Sequence, residues 1–252
     1  MLLSTNWPDQ VGRRVLAEID STNAQAARLA PDLAGPEWIL ALKQTDGRAR
    51  RGRDWVDPPG NFAATYVMRP NGPPDQLALR SFVAALALYD ACVAVTGRSE
   101  GLALKWPNDV LLNGGKLAGI LLESAGFGAN APYLAIGFGV NLAAAPDAGM
   151  VEASATRPVS LLSETGAQVT PDDFLDLLAP AFAKWEHRFL TYGFQPIREA
   201  WLSRAARLGE IITARTGKTE TTGTFQTIDA SGQLILSTAK GRQAIPAADI
   251  FF

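Results

Sequence analysis

The sequence predicts an α/β fold closed by a small all-β unit, and three observations lead there. Helical and extended apolar patterns alternate through the first two-thirds of the chain. After about Leu208 the period changes, and β-branched and polar residues alternate between regularly placed glycines. The composition, 47% hydrophobic and 19% charged over 252 residues, supplies a core and excludes a disordered chain. That length suits one large domain, 1–207, followed by a small one, 208–252. The apolar runs are shorter than a membrane span, and MLLSTNWPDQ has no basic stretch leading into an apolar one, so neither an anchor nor a signal peptide is expected. The single cysteine, Cys92, can form no internal disulfide and suits a reducing cytoplasm. The single histidine, His187, lies in the helix-like AKWEHRFL and reads as a surface or packing residue, which leaves a His-based zinc site without ligands.

Element by element, Asp20-Ser21-Thr22-Asn23 before AQAARLA reads as a capped helix start. Trp38–Gln44 and Asn61–Pro70 are buried-strand candidates, with a loop rich in Arg and Gly between them. Arg80–Gly97 carries apolar residues at helical spacing and stops at a glycine, the pattern of a core helix. Asn113–Gly115, between two apolar runs, is a hairpin turn. Thr170 caps a long helix with Pro171 at its first position, and Pro180 is expected to kink or split it. The final segment reads as about five short strands with tight turns, a barrel of SH3-like size.

Four stretches carry chemistry. In KQTDGRARRGRDW, four arginines fall between Arg48 and Arg53 although the whole chain has a net charge of −2. Such a run is a solvated loop, a nucleic-acid patch or a phosphate clamp. Gly47 and Gly52 let the backbone turn and offer N–H groups to an anion, and Trp55 offers a stacking face. Mutual repulsion then predicts a loop disordered without its ligand and ordered with it. Lys105-Trp106-Pro107-Asn108-Asp109 reads by itself as a turn. Lys116, at the mouth of KLAGILLES, reads by itself as a snorkelling lysine. Gly137 and Gly139 share one strand face before Asn141 and leave either a bulge or a slot for a flat ligand.

Together, and in this order, these stretches resemble the biotin protein ligase family, also called biotin–[acetyl-CoA carboxylase] ligases. Ser21-Thr22-Asn23, QTDGRARRGRDW, KWPNDV, GKLAGILLE and GFGVNL carry the resemblance across essentially the whole chain. It implies an α/β catalytic domain, a mixed sheet flanked by helices and related to the class II aminoacyl-tRNA synthetase core, with an SH3-like C-terminal domain. It also implies ATP-dependent formation of biotinyl-5′-AMP and transfer of biotin to a lysine of a biotin carboxyl carrier protein. Carried over residue by residue, Ser21, Thr22, Asn23, Gln44, Gly47, Arg48, Ala49, Arg50, Lys116, Gly137 and Gly139 are expected around biotin. Arg48, Arg50, Arg51, Arg53, Trp55, Lys105, Asn108, Asp109, Lys116 and Asn141 are expected around the nucleotide. Lys116 and Arg48 are the expected catalytic residues. Mg2+ is expected mainly through the phosphates, with Asp109 as a candidate protein ligand.

Two departures stand out: Ala49 where the family has glycine, which stiffens the loop, and Asp46 where a small neutral residue is usual, which either weakens phosphate binding or orders the empty loop. Some relatives carry an N-terminal helix-turn-helix, but Ser21 lies too early for one, so no nucleic-acid role is expected. Family members include monomers and dimers, so a homodimer is compatible with the sequence. A lipoate or octanoate ligase shares the chemistry and is the near alternative. A single-strand nucleic-acid binder using Trp55 and Trp106 as stacking platforms is the remote one.

Overall fold

The computed structural model describes residues 7–70, 74–125, 133–147, 156–217 and 219–252. Residues 1–6, part of the N-terminal stretch read for a signal peptide, lie outside them. In chain order the elements are β1 (Gly12–Leu16), α1 (Thr22–Leu29), β2 (Glu37–Ala41), β3 (Phe62–Met68), α2 (Pro74–Ala78), α3 (Arg80–Thr96), β4 (Leu102–Lys105), β5 (Asp109–Leu112), β6 (Gly115–Ser124) and β7 (Leu134–Val140). Then follow α4 (Leu161–Thr165), α5 (Pro171–Tyr192), α6 (Gln195–Leu202), β8 (Ile211–Thr216), β9 (Thr219–Ile228), β10 (Leu234–Thr238), β11 (Gly241–Ile245) and β12 (Asp249–Phe251).

The first seven strands form one mixed sheet in the order β1-β2-β3-β7-β6-β5-β4, in which β1 and β2 pair parallel and the rest antiparallel. Alternation along each strand assigns its side chains to two faces. Trp38 and Leu40 of β2, Phe62, Ala64 and Tyr66 of β3, and Ile136, Phe138 and Val140 of β7 join α3 and α5 in the main core. Ile39, Val67 and Ala135 point the other way and meet Ala26 of α1 in a smaller cluster. Helix α1 contacts β2, β3 and β7. The remainder of that face, over β6 and β5, is where the functional site lies.

Helix α3 is buried along most of its length and ends at Gly97 in the left-handed conformation, whose N–H donates to the Val93 carbonyl. The segment Gln76–Thr96 is long and apolar enough to cross a membrane by composition, but its side chains fill the core. The hairpin turn forms at Asn113 and Gly114, both at positive φ, between β5 and β6. Thr170 accepts from the Asp173 N–H and caps α5. Helix α5 is not split at Pro180: it runs unbroken from Pro171 to Tyr192. Leu178, Ala179 and Phe182, buried on either side of the proline, anchor both halves in one core and override the lost hydrogen bond. His187 is exposed on this helix.

Strands β8 to β12 form a separate antiparallel sheet in the order β11-β10-β9-β8-β12, in keeping with the SH3-like unit expected. It packs against the helices and the β4–β5 turn. Trp106 of that turn, only 4% exposed, donates its indole N–H to the Gly232 carbonyl at 3.1 Å. That burial removes Trp106 as a stacking platform.

Candidate active site

A cavity of about 520 Å³ opens on the α1 side of the large sheet, roofed by the loop from Arg48 to Val56 and bordered by the end of the terminal sheet. Its floor is β6 and β7. At one end, Ser21 caps α1 by accepting from the Ala24 N–H, which leaves the start of the helix facing the cavity. Gln44 accepts from both the backbone N–H and the hydroxyl of Thr22, at 2.9 and 3.2 Å. Asn23 donates to the Glu123 carboxylate at 2.7 Å, and its Oδ1 lies 2.6 Å from the Thr65 hydroxyl. Thr65 is fully buried and also touches Thr22 at 2.8 Å. This end is a small polar network closed by a sheet, with every side chain tied to a neighbour.

Gly137 and Gly139 line the cavity, and the side chains of Asn23 and Trp55 lie close over their bare backbone. A Cβ on Gly137 would collide with Asn23, and one on Gly139 would lie 2.7 Å from Cζ2 and Nε1 of Trp55. The same indole reaches Gly119 of β6, where a Cβ would lie 3.2 Å from Cζ3. Bare backbone on β6 and β7 is therefore what lets Trp55 lie flat on the sheet. Its indole N–H has no hydrogen-bond partner there among the described residues.

The arginine loop is folded against the cavity. Ala49 and Arg53 are joined by a backbone hydrogen bond of 2.8 Å, Arg48 bridges Asp54, and Arg51 and Gly52 take positive φ at the tip. Partners that the loop's own sequence does not contain add to these internal bonds. Arg51 pairs with Asp249 of β12 at 2.6 Å and Arg53 approaches the same carboxylate at 3.5 Å. Arg50 points inward and donates to Asn108 at 3.1 Å. Burial lowers its pKa, and the charges of Asp109 and Asp249 oppose that shift. Asp46 lies 3.9 Å from Arg48, both largely exposed, so it neutralises little. Two expected site residues face elsewhere. Gly47 sits behind the wall, where a Cβ would lie 2.6 Å from the Trp55 carbonyl, and Arg51 is drawn outward by Asp249. Neither lines the cavity, whereas Arg48, Ala49, Arg50 and Arg53 do.

Lys116 reaches the cavity because of a β-bulge. Opposite β5, Val110 pairs with Ala118 but Leu111 pairs with Lys116, so one residue is extra and the alternation of β6 slips. Lys116 thereby shares the face of Gly119, where its Nζ would lie 3.5 Å from an added Cβ. Its ammonium is 2.7 Å from the Asp109 carboxylate and 5.8 Å from the Trp55 ring centroid. Asn108 donates to the Ile120 carbonyl at 2.6 Å, which fixes its oxygen toward Arg50. Lys105 donates to Thr156 at 2.6 Å and lies over the Phe252 ring; burial lowers its pKa. Asn141 lines the cavity, yet it donates to the Val159 carbonyl and accepts from Asn61, so its polar atoms hold the floor.

Six Lys or Arg side chains and three aspartates line the cavity, an excess of three positive charges in a chain that is slightly acidic overall. Such a site suits a polyanion. Sequence reasoning missed Asp249, Arg215, Thr156 and Phe251 on the wall, Thr65 and Glu123 in the polar network, and Asp57 behind it. None stands in a distinctive motif, because their partners are distant in the chain.

The comparisons with known proteins agree with this geometry. Residues 15–141 match the biotin/lipoate A/B protein ligase family, and residues 208–252 match the biotin protein ligase C-terminal domain. A biotin–[acetyl-CoA-carboxylase] ligase of Paracoccus denitrificans is 62% identical, over 94% of this chain and 99% of that protein. The bifunctional ligase/repressor BirA of Bacillus subtilis is 32% identical over 92% of this chain and 71% of its own length. Among solved structures, the biotin protein ligase of Aquifex aeolicus in complex with biotin and ATP superimposes with a TM-score of 0.79 at 24% identity, covering 95% of this chain and 98% of that one. The chain belongs to the biotin/lipoate A/B protein ligase family and carries the C-terminal domain of biotin protein ligases.

Proposed function

We propose that the protein is a biotin–[acetyl-CoA-carboxylase] ligase, which activates biotin with ATP and transfers it to a lysine of a biotin carboxyl carrier protein. The observation that carries the reading is the join within one cavity. A small polar pocket at Ser21, Thr22 and Gln44 runs directly into a wall of cations. The Paracoccus relative bears that activity in its name, and the Aquifex structure holds biotin and ATP.

In the first step a carboxylate oxygen of biotin attacks the α-phosphorus of ATP, and the bond to the β-phosphate bridging oxygen breaks to release pyrophosphate. Both reactants are anions, so their approach needs fixed cations. Lys116 is placed to contact the carboxylate and α-phosphate, with Asp109 holding the ammonium in position. Arg48, Arg50 and Arg53 face the triphosphate, and Asn108 keeps Arg50 turned inward. Preorganised charges of this kind stabilise the developing charge without reorganising during the reaction. Trp55 presents a face for the adenine, and Ser21, Thr22 and Gln44 face the ureido group. In the second step the acceptor lysine's amine attacks the acyl carbon, the bond to the phosphate oxygen breaks, and AMP leaves with the electron pair. The roof formed by the loop keeps water from the mixed anhydride until that amine arrives.

Among the described residues no three His, Cys, Asp or Glu side chains converge as a metal cage. Mg2+ is a hard cation that takes phosphate oxygens and one or two carboxylates as ligands, and Asp109, with one oxygen on the Lys116 ammonium, would offer it the other. Residues 1–207 act as the catalytic unit and 208–252 as the terminal one. The buried, unpaired Cys92 supports a cytoplasmic setting.

Pyrophosphate release with ATP and Mg2+ tests the reading, comparing biotin, lipoate and no acid. Release with biotin alone, with biotinyl-AMP detected by mass, is expected. Release with lipoate alone would move the substrate to the other branch of the family, and release with neither would overturn the reading.

A further inference from the structure

A carboxylate of the terminal sheet, that of Asp249, reaches the arginine loop. Asp249 is the first residue of β12, where it lies opposite Arg215 of β8, so its backbone is fixed by the ladder. Its side chain is mostly buried, pairs with Arg51 at 2.6 Å and lies 3.5 Å from Arg53. Arg51 needs such a partner. It sits at φ 60° and ψ 31°, a left-handed conformation that costs a residue with a Cβ, followed by Gly52 at φ 70°. Arg48 and Asp54 meet through the backbone alone, and Asp46 lies 3.9 Å from Arg48, so the ion pair that Arg51 makes among the described residues is the one to Asp249. The other buried cavity carboxylate, Asp109, is already committed to Lys116.

We propose that Asp249 is a positioning residue that latches the arginine loop: it anchors Arg51 at the outer edge and steadies Arg53 before ATP arrives, so that Arg53 and its neighbours on the cavity side face the phosphates. Two consequences separate this role from ordinary packing. The latch acts at the outer part of the loop, on the side away from Ser21, Thr22 and Gln44, so its loss is felt in ATP binding and not in biotin binding. It is also ionic, so a carboxylate on a longer side chain keeps it in part whereas an isosteric amide does not. The dependence on ATP rests on the function proposed above; the latch itself does not.

The test is Asp249→Asn, read first by limited trypsin digestion of the ligand-free protein. Cleavage after Arg48, Arg50, Arg51 and Arg53 is expected to speed up about threefold to tenfold, the range for two partly exposed ion pairs. Asp249→Glu is expected to recover most of the protection. Arg51→Met, which leaves the terminal sheet untouched, should expose the remaining sites to the same degree even if Asp249→Asn disturbs folding. In steady-state kinetics, Asp249→Asn should raise KM for ATP by about threefold or more, while biotin affinity without ATP stays within about twofold. Cleavage at the wild-type rate in both variants would overturn the latch, as would equal losses of ATP and biotin affinity. Faster cleavage in a protein that releases no pyrophosphate would leave the latch standing and remove the ligase reading instead.

Discussion

Asp57 carries a charge that the folded protein disfavours. Burial pushes its carboxyl up to about 6, and hydrogen bonds from Gln44 offset only part of the shift. Its Oδ1 finds no protein partner among the described residues. Because the folded state favours the protonated acid, this group adds stability that is fully present below the ordinary value of 3.8 and lost as pH rises through about 6. Asp57→Asn keeps the shape and the acceptor for Gln44 while removing the charge. The melting temperature of that variant is expected to gain on wild type as pH rises from about 4 to about 6.5, and to hold the gain above it. Parallel curves across that window would show that Asp57 is not buried against its charge. Since Gln44 also holds Thr22, the same carboxyl orients the polar end of the cavity from behind.

At the scale of elements, the glycine pair on β7 shows what the sequence discloses and where it stops. Alternation put Gly137 and Gly139 on one face and marked that face as special. It did not say that Asn23 and Trp55 fill the space, because those residues lie far away in the chain. Gly139→Ala is expected to lift Trp55 off the sheet and slow adenylate formation by about tenfold or more, since a Cβ there meets the indole. An unchanged rate with a native circular dichroism spectrum would show that Trp55 has no part in the nucleotide step. The helix caps, the hairpin turn and the change of period near Leu208 were legible for a local reason: each is a short-range pattern read within a few residues. The bulge that turns Lys116 inward was not, since nothing in KLAGILLES announces an extra residue and only pairing with β5 creates it. Pro180 leaves the helix unsplit for the converse reason. A strong local rule yielded to core contacts on both sides of it.

For the molecule as a whole, the question is whether the terminal sheet is a separate folding unit or part of one cooperative structure. A segment of the size of 208–252 is marginal for burying a self-sufficient core. Its apolar residues Ile212, Phe225, Ile228 and Leu234 instead belong to the same continuous core as Phe82 and Trp201. Gly232 packs so closely that a Cβ would lie 3.0 Å from both Leu79 and Phe82, and its carbonyl accepts from Trp106. Arg198 of α6 donates to the Ile228 carbonyl and, at 3.2 Å, to Thr227. Backbone bonds of 2.8 Å further join Leu104 to Arg204 and Ala206, just before the sheet begins. Removing residues 208–252 would therefore expose apolar surface and strand a buried indole donor, each costly. Calorimetry of the full chain is expected to give one transition, with calorimetric and van't Hoff enthalpies in a ratio of about 1. Two resolved transitions would show a loosely tethered sheet. A single one means that any force on the terminal sheet, including the pull of Asp249 on the arginine loop, acts through a body rigid enough to transmit it.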